Sequence, residues 1–196
     1  ESIIQWANMI DGNSEIAAVS GLKADSRTHV ALGGIPNQLE NGGYIDAKNS
    51  QRRKYGLLGD KAEAYRTSLL KQHPFHEFDG ENFLTEDSLW NEFSYNGLYV
   101  RWFGKIIYYC EYLPDGLTRS GDEKIIKNFQ GFTYSTRQRI KCCGVLDRFI
   151  AMGYYYSIAQ KKNMGLKASA QKLQCLRCSM LMGVLLRKIK NKVYKR

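Results

Sequence analysis

The spacing of hydrophobic and polar residues at the start of the chain predicts one helix, one strand and a long irregular stretch. Apolar residues at helical spacing predict a helix over residues 1–10, and the turn-forming residues 11–13 would end it. The short apolar run over residues 15–20 has the length of a strand. Residues 21–56 are rich in Gly, Asn, Asp and Lys and show little periodicity, so they are predicted to form a long loop.

The pattern is sharper in the next part of the chain. Residues 61–66 predict a strand, residues 68–71 predict a short helical turn, and residues 77–82 predict an acidic loop broken by glycine. Residues 86–96 then predict a helix, because their apolar side chains cluster on one face and a glycine follows as a stop signal.

The second half of the chain is predicted to finish a sheet and then to become helical. Residues 99–103 and 105–112 predict two strands that Gly104 separates. Helical periodicity runs from residue 123 to the C-terminus, with interruptions predicted near Gly131, Gly144 and Gly165. The predicted class is therefore α/β, with a partial mixed sheet and flanking helices over about residues 15–112 and a helical C-terminal region.

Composition supports a folded protein without a membrane span. Hydrophobic residues make up 43% of the chain and charged residues 24%, as in ordinary globular proteins. The longest apolar window, residues 178–186, is about half of the roughly 18 residues that cross a bilayer. Five cysteines at irregular spacing argue against a disulfide framework and for a reducing compartment, so a cytoplasmic location is expected.

Charge is distributed unevenly along the chain. Residues 1–98 contain nine Lys and Arg against 14 Asp and Glu, whereas residues 99–196 contain 20 against five. The last ten residues carry six positive charges and no negative one. This tail is predicted to favour an anionic surface.

Four segments carry the chemistry that the sequence indicates. In chain order they are Gly59-Asp-Lys-Ala-Glu-Ala-Tyr-Arg-Thr67, Pro74-Phe75, Phe83-Leu-Thr-Glu-Asp-Ser-Leu-Trp-Asn91 and Tyr109-Cys-Glu-Tyr-Leu-Pro-Asp-Gly-Leu-Thr118. Their order and spacing resemble the family 2 glycosyltransferases of bacterial polysaccharide synthesis, which have the GT-A fold. The resemblance covers about residues 1–120, and it implies that these residues form the acceptor-side half of a GT-A domain, with residues 121–196 as a basic helical extension.

The resemblance implies transfer of a sugar from a nucleotide diphosphate to an acceptor hydroxyl with inversion at the anomeric carbon. Such a reaction needs a carboxylate base, and the resemblance assigns that role to Asp87, with Glu86 as the second candidate. It further implies that the acceptor, a glycan or a lipid-linked sugar, contacts the side chains of Trp90, Tyr65 and Arg66. Lys61 is the candidate contact for phosphate.

Each of these residues also has an ordinary structural interpretation. An acidic pair in the first turn of a helix commonly serves to cap it, because the helix dipole favours negative charge there. Trp90 on an apolar helix face is suited to the core. Arg66 and Lys61 are equally suited to be solvated strand residues.

One departure from the family is informative. The family binds its divalent metal, Mg²⁺ or Mn²⁺, and its nucleotide-sugar donor through an Asp-X-Asp motif, and no such motif occurs in this sequence. We therefore expect the N-terminal nucleotide-binding half to be missing here, this chain to need no cofactor of its own, and the isolated chain to be inactive. Cys175 and Cys178 have the spacing of zinc ligands but lack partners nearby in sequence, so no metal site is predicted.

The C-terminal region leaves two functions open. Residues 166–194 predict an amphipathic basic helix, which would lie either on the inner membrane face or against its own domain. The alternative to a glycosyltransferase is a non-enzymatic basic module that binds anionic membrane or nucleic acid. Nucleic acid is not the expected partner, because that function leaves the segments over residues 59–118 unexplained.

Overall fold

The structure is a computed structural model, and it describes residues 1–111 and 121–193. The chain divides into two compact units. One comprises Glu1–Pro74 and the chain from Phe93 to the end of the first described range, and the other comprises Phe75–Glu92 and the second described range. The division falls inside a helix, between Glu92 and Phe93. The predicted boundary near residue 120 stays a prediction.

The first unit is an α/β arrangement with a four-stranded mixed sheet, as the sequence pattern predicts. The two central strands, β1 and β4, run parallel, while β2 pairs antiparallel with β4 and β3 pairs antiparallel with β1. The elements of this unit are α1 (Ser2–Met9), β1 (Ile16–Asp25), β2 (Tyr44–Ala47), β3 (Lys61–Tyr65), α2 (Thr67–Gln72) and β4 (Tyr99–Cys110). Helix α3 (Asp87–Tyr95) belongs to both units.

The prediction of a long loop over residues 21–56 is partly wrong. Strand β1 continues to Asp25, and β2 lies within this stretch. The first seven residues of β1 are all buried, and buried and half-buried residues then alternate from Leu22 to Asp25, beyond the predicted end at residue 20. A Cβ atom on Gly21 would lie 2.7 Å from the Ile107 side chain, so glycine serves close strand packing here.

Gly104 does not break the last strand, contrary to the prediction. β4 runs without interruption from Tyr99 to Cys110. A Cβ atom at Gly104 would lie 2.2 Å from the carbonyl oxygen of Leu39, so this glycine allows a neighbouring turn to approach the sheet. The predicted end of the strand, Tyr112, lies outside the described residues.

Three aromatic residues lie among the aliphatic side chains in the core of the first unit. Trp102 is 1% exposed, and its indole N–H donates a hydrogen bond of 2.9 Å to the carbonyl of Ala47 on the adjacent strand. Trp6 of α1 stacks on Phe103 with ring centroids 4.1 Å apart, which fixes the helix against the sheet.

The second unit is helical in its described part beyond residue 121, as predicted. Its helices are α4 (Gly121–Lys127), α5 (Phe129–Cys142), α6 (Val145–Lys161), α7 (Leu166–Leu173) and α8 (Arg177–Val193). Gly144 and Gly165 precede helices as expected, but Gly131 lies inside α5 and does not interrupt it. The core contains Tyr155, Ile158 and Met180, each fully buried.

Candidate functional site

Asp87 is held by an arginine from another helix of the second unit. α3 begins at Asp87. Its carboxylate oxygen Oδ2 accepts a hydrogen bond of 2.8 Å from Nε of Arg139 and a second one from Nη2 of the same guanidinium, so the two side chains form an ion pair. Within the described residues, Oδ1 accepts no hydrogen bond. Arg139 thus fixes the orientation of the carboxylate while one oxygen stays available.

Glu86 lines a cavity in the second unit, and the adjacent Asp87 is not among the residues that line it. The cavity has a volume of about 590 Å³ and is formed by residues 75–84 together with Glu86. Aromatic rings and carboxylates alternate along this segment of the chain. The lining side chains with rings are Phe75, His76, Phe78 and Phe83, and those with carboxylates are Glu77, Asp79, Glu81 and Glu86.

The wall of this cavity is tied to the N-terminus of α5. The carboxylate of Glu81 accepts two hydrogen bonds of 2.7 Å from the backbone N–H groups of Gln130 and Gly131. The side-chain oxygen Oδ1 of the buried Asn128 accepts hydrogen bonds from the backbone N–H groups of residues 82 and 83, at 2.8 and 3.0 Å. The charge of Glu81 at the N-terminus of α5 and the two hydrogen bonds to Asn128 together hold the cavity wall in place.

Aromatic contacts continue behind the cavity. Trp90 is partly buried and meets Phe75 edge-on, with ring centroids 6.0 Å apart. On α5, Tyr134 packs against His76 at 4.3 Å and against Phe78 at 5.9 Å, and burial raises the pKa of its phenol. The predicted acceptor residue Trp90 therefore supports a ring that lines the cavity.

The strand residues predicted to contact acceptor and phosphate lie in the first unit. Tyr65 packs against Phe93 at a centroid distance of 5.8 Å. The guanidinium of Arg66 donates to the backbone carbonyls of Ile16 at 2.9 Å, of Asn13 at 3.2 Å and of Ile10. Arg66 also borders a separate cavity of about 310 Å³, and its acceptor role stays a prediction.

Lys61 is buried, with 4% of its surface exposed. Its ammonium group donates to the carbonyl of Leu58. Burial and the positive charge of Arg52 lower the pKa of this lysine to about 8. The phosphate contact predicted for Lys61 stays a prediction, since the structure gives its ammonium a backbone partner.

The lowered pKa of Lys61 predicts how stability depends on pH. Between pH 8 and the ordinary lysine pKa of 10.5, the unfolded chain binds more protons than the folded one, so stability should rise with pH. Lys61→Met should raise the free energy of unfolding at pH 7 by about 1–2 kcal/mol, because removing the buried charge outweighs losing one hydrogen bond, and it should flatten that rise. Urea unfolding at several pH values measures both effects. Lys71→Met, at an exposed lysine of the same unit, should change neither.

Arg139 is the residue of this site that sequence reasoning missed. It lies 52 positions from Asp87, and nothing in the local pattern distinguishes it from the other basic residues of α5. Only the packing of α5 on the start of α3 brings the two charges together. Spacing along the chain carries no signal for such a contact.

Similarity to known proteins gives no independent assignment for this chain. No protein-family model, curated protein or solved structure matches this chain. Across residues 1–111 and 121–193, no three His, Cys, Asp or Glu side chains gather as a metal site would require. No helix in the same ranges combines the length and the apolar character needed to cross a bilayer. Functional assignment therefore depends on the sequence segments and the geometry above.

Proposed function

We propose that this chain is the acceptor-side part of an inverting glycosyltransferase, which moves a sugar from a nucleotide diphosphate to an acceptor hydroxyl in cell-surface polysaccharide synthesis. One observation carries the proposal: Asp87 begins α3, and the neighbouring Glu86 lines a cavity of about 590 Å³ that also contains rings and other carboxylates. This arrangement supplies both a base and a place for the acceptor. The four sequence segments that resemble family 2 enzymes support the same assignment.

The lining of the cavity suits a sugar acceptor. A pyranose ring presents apolar C–H faces and a rim of hydroxyl groups, and a site that binds it needs flat apolar surfaces and hydrogen-bond acceptors. The flat apolar surfaces are the rings of Phe75, Phe78 and Phe83. The hydrogen-bond acceptors are the exposed carboxylates of Glu77 and Asp79. A glycan or a lipid-linked sugar is therefore the proposed acceptor.

In the proposed reaction, the acceptor oxygen attacks the anomeric carbon of the donor while its proton passes to Oδ1 of Asp87. The new C–O bond forms on the face opposite the bond that breaks, so the configuration inverts. The nucleotide diphosphate leaves with the bonding electron pair. Arg139 binds Oδ2 and orients the carboxylate, which leaves Oδ1 for the proton. Glu86 is the second candidate for the base, because its exposed carboxylate lines the cavity.

Departure of the diphosphate needs a cation, and in enzymes of this family Mg²⁺ or Mn²⁺ supplies it. The sequence contains no Asp-X-Asp motif to bind that metal, so we assign the donor and metal sites to residues outside these 196. On this proposal the isolated chain has no transferase activity. The reaction takes place in the cytoplasm, with the protein peripheral on the inner membrane face.

The second candidate function is a non-enzymatic basic module that binds anionic membrane. It is favoured by the excess of positive charge in residues 99–196 and by exposed apolar residues on α8. This second function does not explain the cavity at Glu86.

An activity assay of the protein with all coding sequence upstream of Glu1 tests the proposal. We would incubate it with Mn²⁺, a panel of nucleotide diphosphate sugars, and methyl glycosides or a membrane lipid extract as acceptors. The expected result is release of nucleoside diphosphate and a product heavier by one sugar residue for one donor, with neither observed for residues 1–196 alone. A protein that binds no nucleotide sugar in calorimetry and releases no nucleotide from any donor would contradict it.

A further inference from the structure

Helix α8 leaves a row of apolar side chains uncovered. One side of α8 packs into the core through the fully buried Met180. On the other side, Leu181, Leu185 and Ile189 are 52%, 53% and 51% exposed. These three residues are spaced by four, so they form one stripe along the helix. We call them the α8 stripe.

Positive charge accompanies the α8 stripe. Arg177 is exposed one turn before Leu181, and Lys188 is exposed on the same helix face as the stripe. All the charged Lys, Arg, Asp and Glu residues of the surrounding sequence are positive, because residues 148–196 contain 12 Lys and Arg and no Asp or Glu. A helix that combines exposed leucines with cations and carries no carboxylate of its own matches an apolar layer edged by negative charge.

An anionic lipid surface has the properties required of the partner. Its headgroups attract Lys and Arg, and its acyl region accepts Leu and Ile side chains from a helix that lies in the interface. A second copy of this chain would bring the same excess of positive charge against itself, which disfavours pairing. α8 has 17 residues, or roughly 25 Å at 1.5 Å per residue, and it carries basic residues along its length, so it is suited to lie on a bilayer and not to cross it.

We propose that α8 docks on an anionic lipid surface, with the α8 stripe inserted at the acyl boundary and with Arg177 and Lys188 at the headgroups. This contact would hold the second unit, with its cavity at Glu86, at the membrane. The inference rests on the peripheral membrane location proposed above and names the contact that produces it. It depends on α8 alone and is measured without any activity, so it can fail independently of the proposed reaction.

Vesicle binding by the full 196-residue chain tests the proposal. Flotation with phosphatidylcholine vesicles, with and without phosphatidylglycerol, should show binding only when the anionic lipid is present. Raising the salt concentration should weaken it, because the exposed charges are screened. The triple variant Leu181→Gln, Leu185→Gln, Ile189→Gln should bind at least tenfold more weakly, since it removes the apolar contact and leaves the net charge unchanged.

Helix α1 offers a matched control for the α8 stripe. Ile3, Ile4 and Met9 are 40%, 68% and 51% exposed, and no basic residue lies in the last turn of α1. Changing these three residues to Gln should leave vesicle binding unchanged. A separate variant, Arg177→Gln with Lys188→Gln, should lose binding severalfold while the apolar stripe is intact. Circular dichroism checks that each variant is folded.

Several outcomes would overturn the proposal. Equal binding to vesicles without phosphatidylglycerol would show that charge has no part in the contact. Unchanged binding by the folded triple variant would exclude the α8 stripe. A parent chain that elutes as a dimer, combined with a monomeric triple variant and no vesicle binding, would assign the stripe to self-association.

Discussion

Asp87→Asn should lower the turnover of the active enzyme by about 10²–10⁴ and leave its affinity for the nucleotide sugar nearly unchanged. This is the effect expected when a general base is lost, because the substitution keeps the shape of the side chain but removes its ability to take a proton. Steady-state kinetics with one donor and one acceptor measures the loss of kcat, and calorimetry measures donor affinity.

Glu86→Gln is the comparison that decides between the two carboxylates. If Asp87→Asn retains near-normal turnover and Glu86→Gln loses it, the base is Glu86. If neither substitution lowers turnover, the pair only caps α3, and the mechanism proposed here is wrong. Glu77→Gln is a matched control, because it removes another carboxylate of the same cavity that is not assigned as a base. We expect it to change the KM for acceptor more than kcat.

Gly183→Ala should lower the free energy of unfolding of the second unit by about 2–3 kcal/mol. A Cβ atom at Gly183 would lie 2.2 Å from the carbonyl oxygen of Phe149, where α8 crosses α6. A Cβ atom on the facing Gly153 would lie 2.3 Å from the Gly183 oxygen, so neither backbone can give way without moving a helix. This overpacking should exceed the gain in helix propensity that alanine brings, which is at most about 1 kcal/mol.

Thermal and urea unfolding followed by circular dichroism measure the effect of Gly183→Ala. Gly165→Ala is the matched control, since a Cβ atom at Gly165 meets nothing within 4 Å. We expect that variant to stay within about 1 kcal/mol of the parent. A Gly183→Ala protein as stable as the parent would mean that the two helices separate easily at this point.

Local pattern was sufficient where a structural element is amphipathic and bounded by turn residues. Helices α1 and α3 each differ from their predicted ranges by one residue at each end, and β3 is one residue shorter than the predicted strand. In each case turn-forming residues follow the element or its apolar residues recur with the period of that element, and both signals can be found in the sequence.

Pattern failed where tertiary contact decides the structure. β1 extends beyond the predicted end at residue 20, because Gly21 serves close packing between strands and does not end the strand. Gly104 and Gly131 read as breaks, but one lies under the turn at Leu39 and the other faces the carbonyl of Phe83, at 3.1 Å from an added Cβ atom. A glycine that permits close packing and a glycine that ends an element are identical in sequence.

The candidate site was predictable in the same limited way. The sequence predicts the acidic pair at the start of a helix, and in the structure Asp87 begins α3 while Glu86 lines a cavity. The partner of Asp87 was not predictable, because the ion pair with Arg139 depends on how α5 packs. The same holds for Glu81, whose loop position gave no sign that it binds the N-terminus of a helix 49 and 50 residues later.

The discontinuous course of the chain limits how its gene can be divided. The segment Phe75–Glu92 leaves the first unit, contributes to the second, and is followed by a return to the first. A gene split near codon 120 would encode one product with Asp87 and another with Arg139, and it would also separate Glu81 from the helix that it caps. Neither product would carry the intact carboxylate site. Recombination between related genes at that position would therefore not transfer the site as one unit.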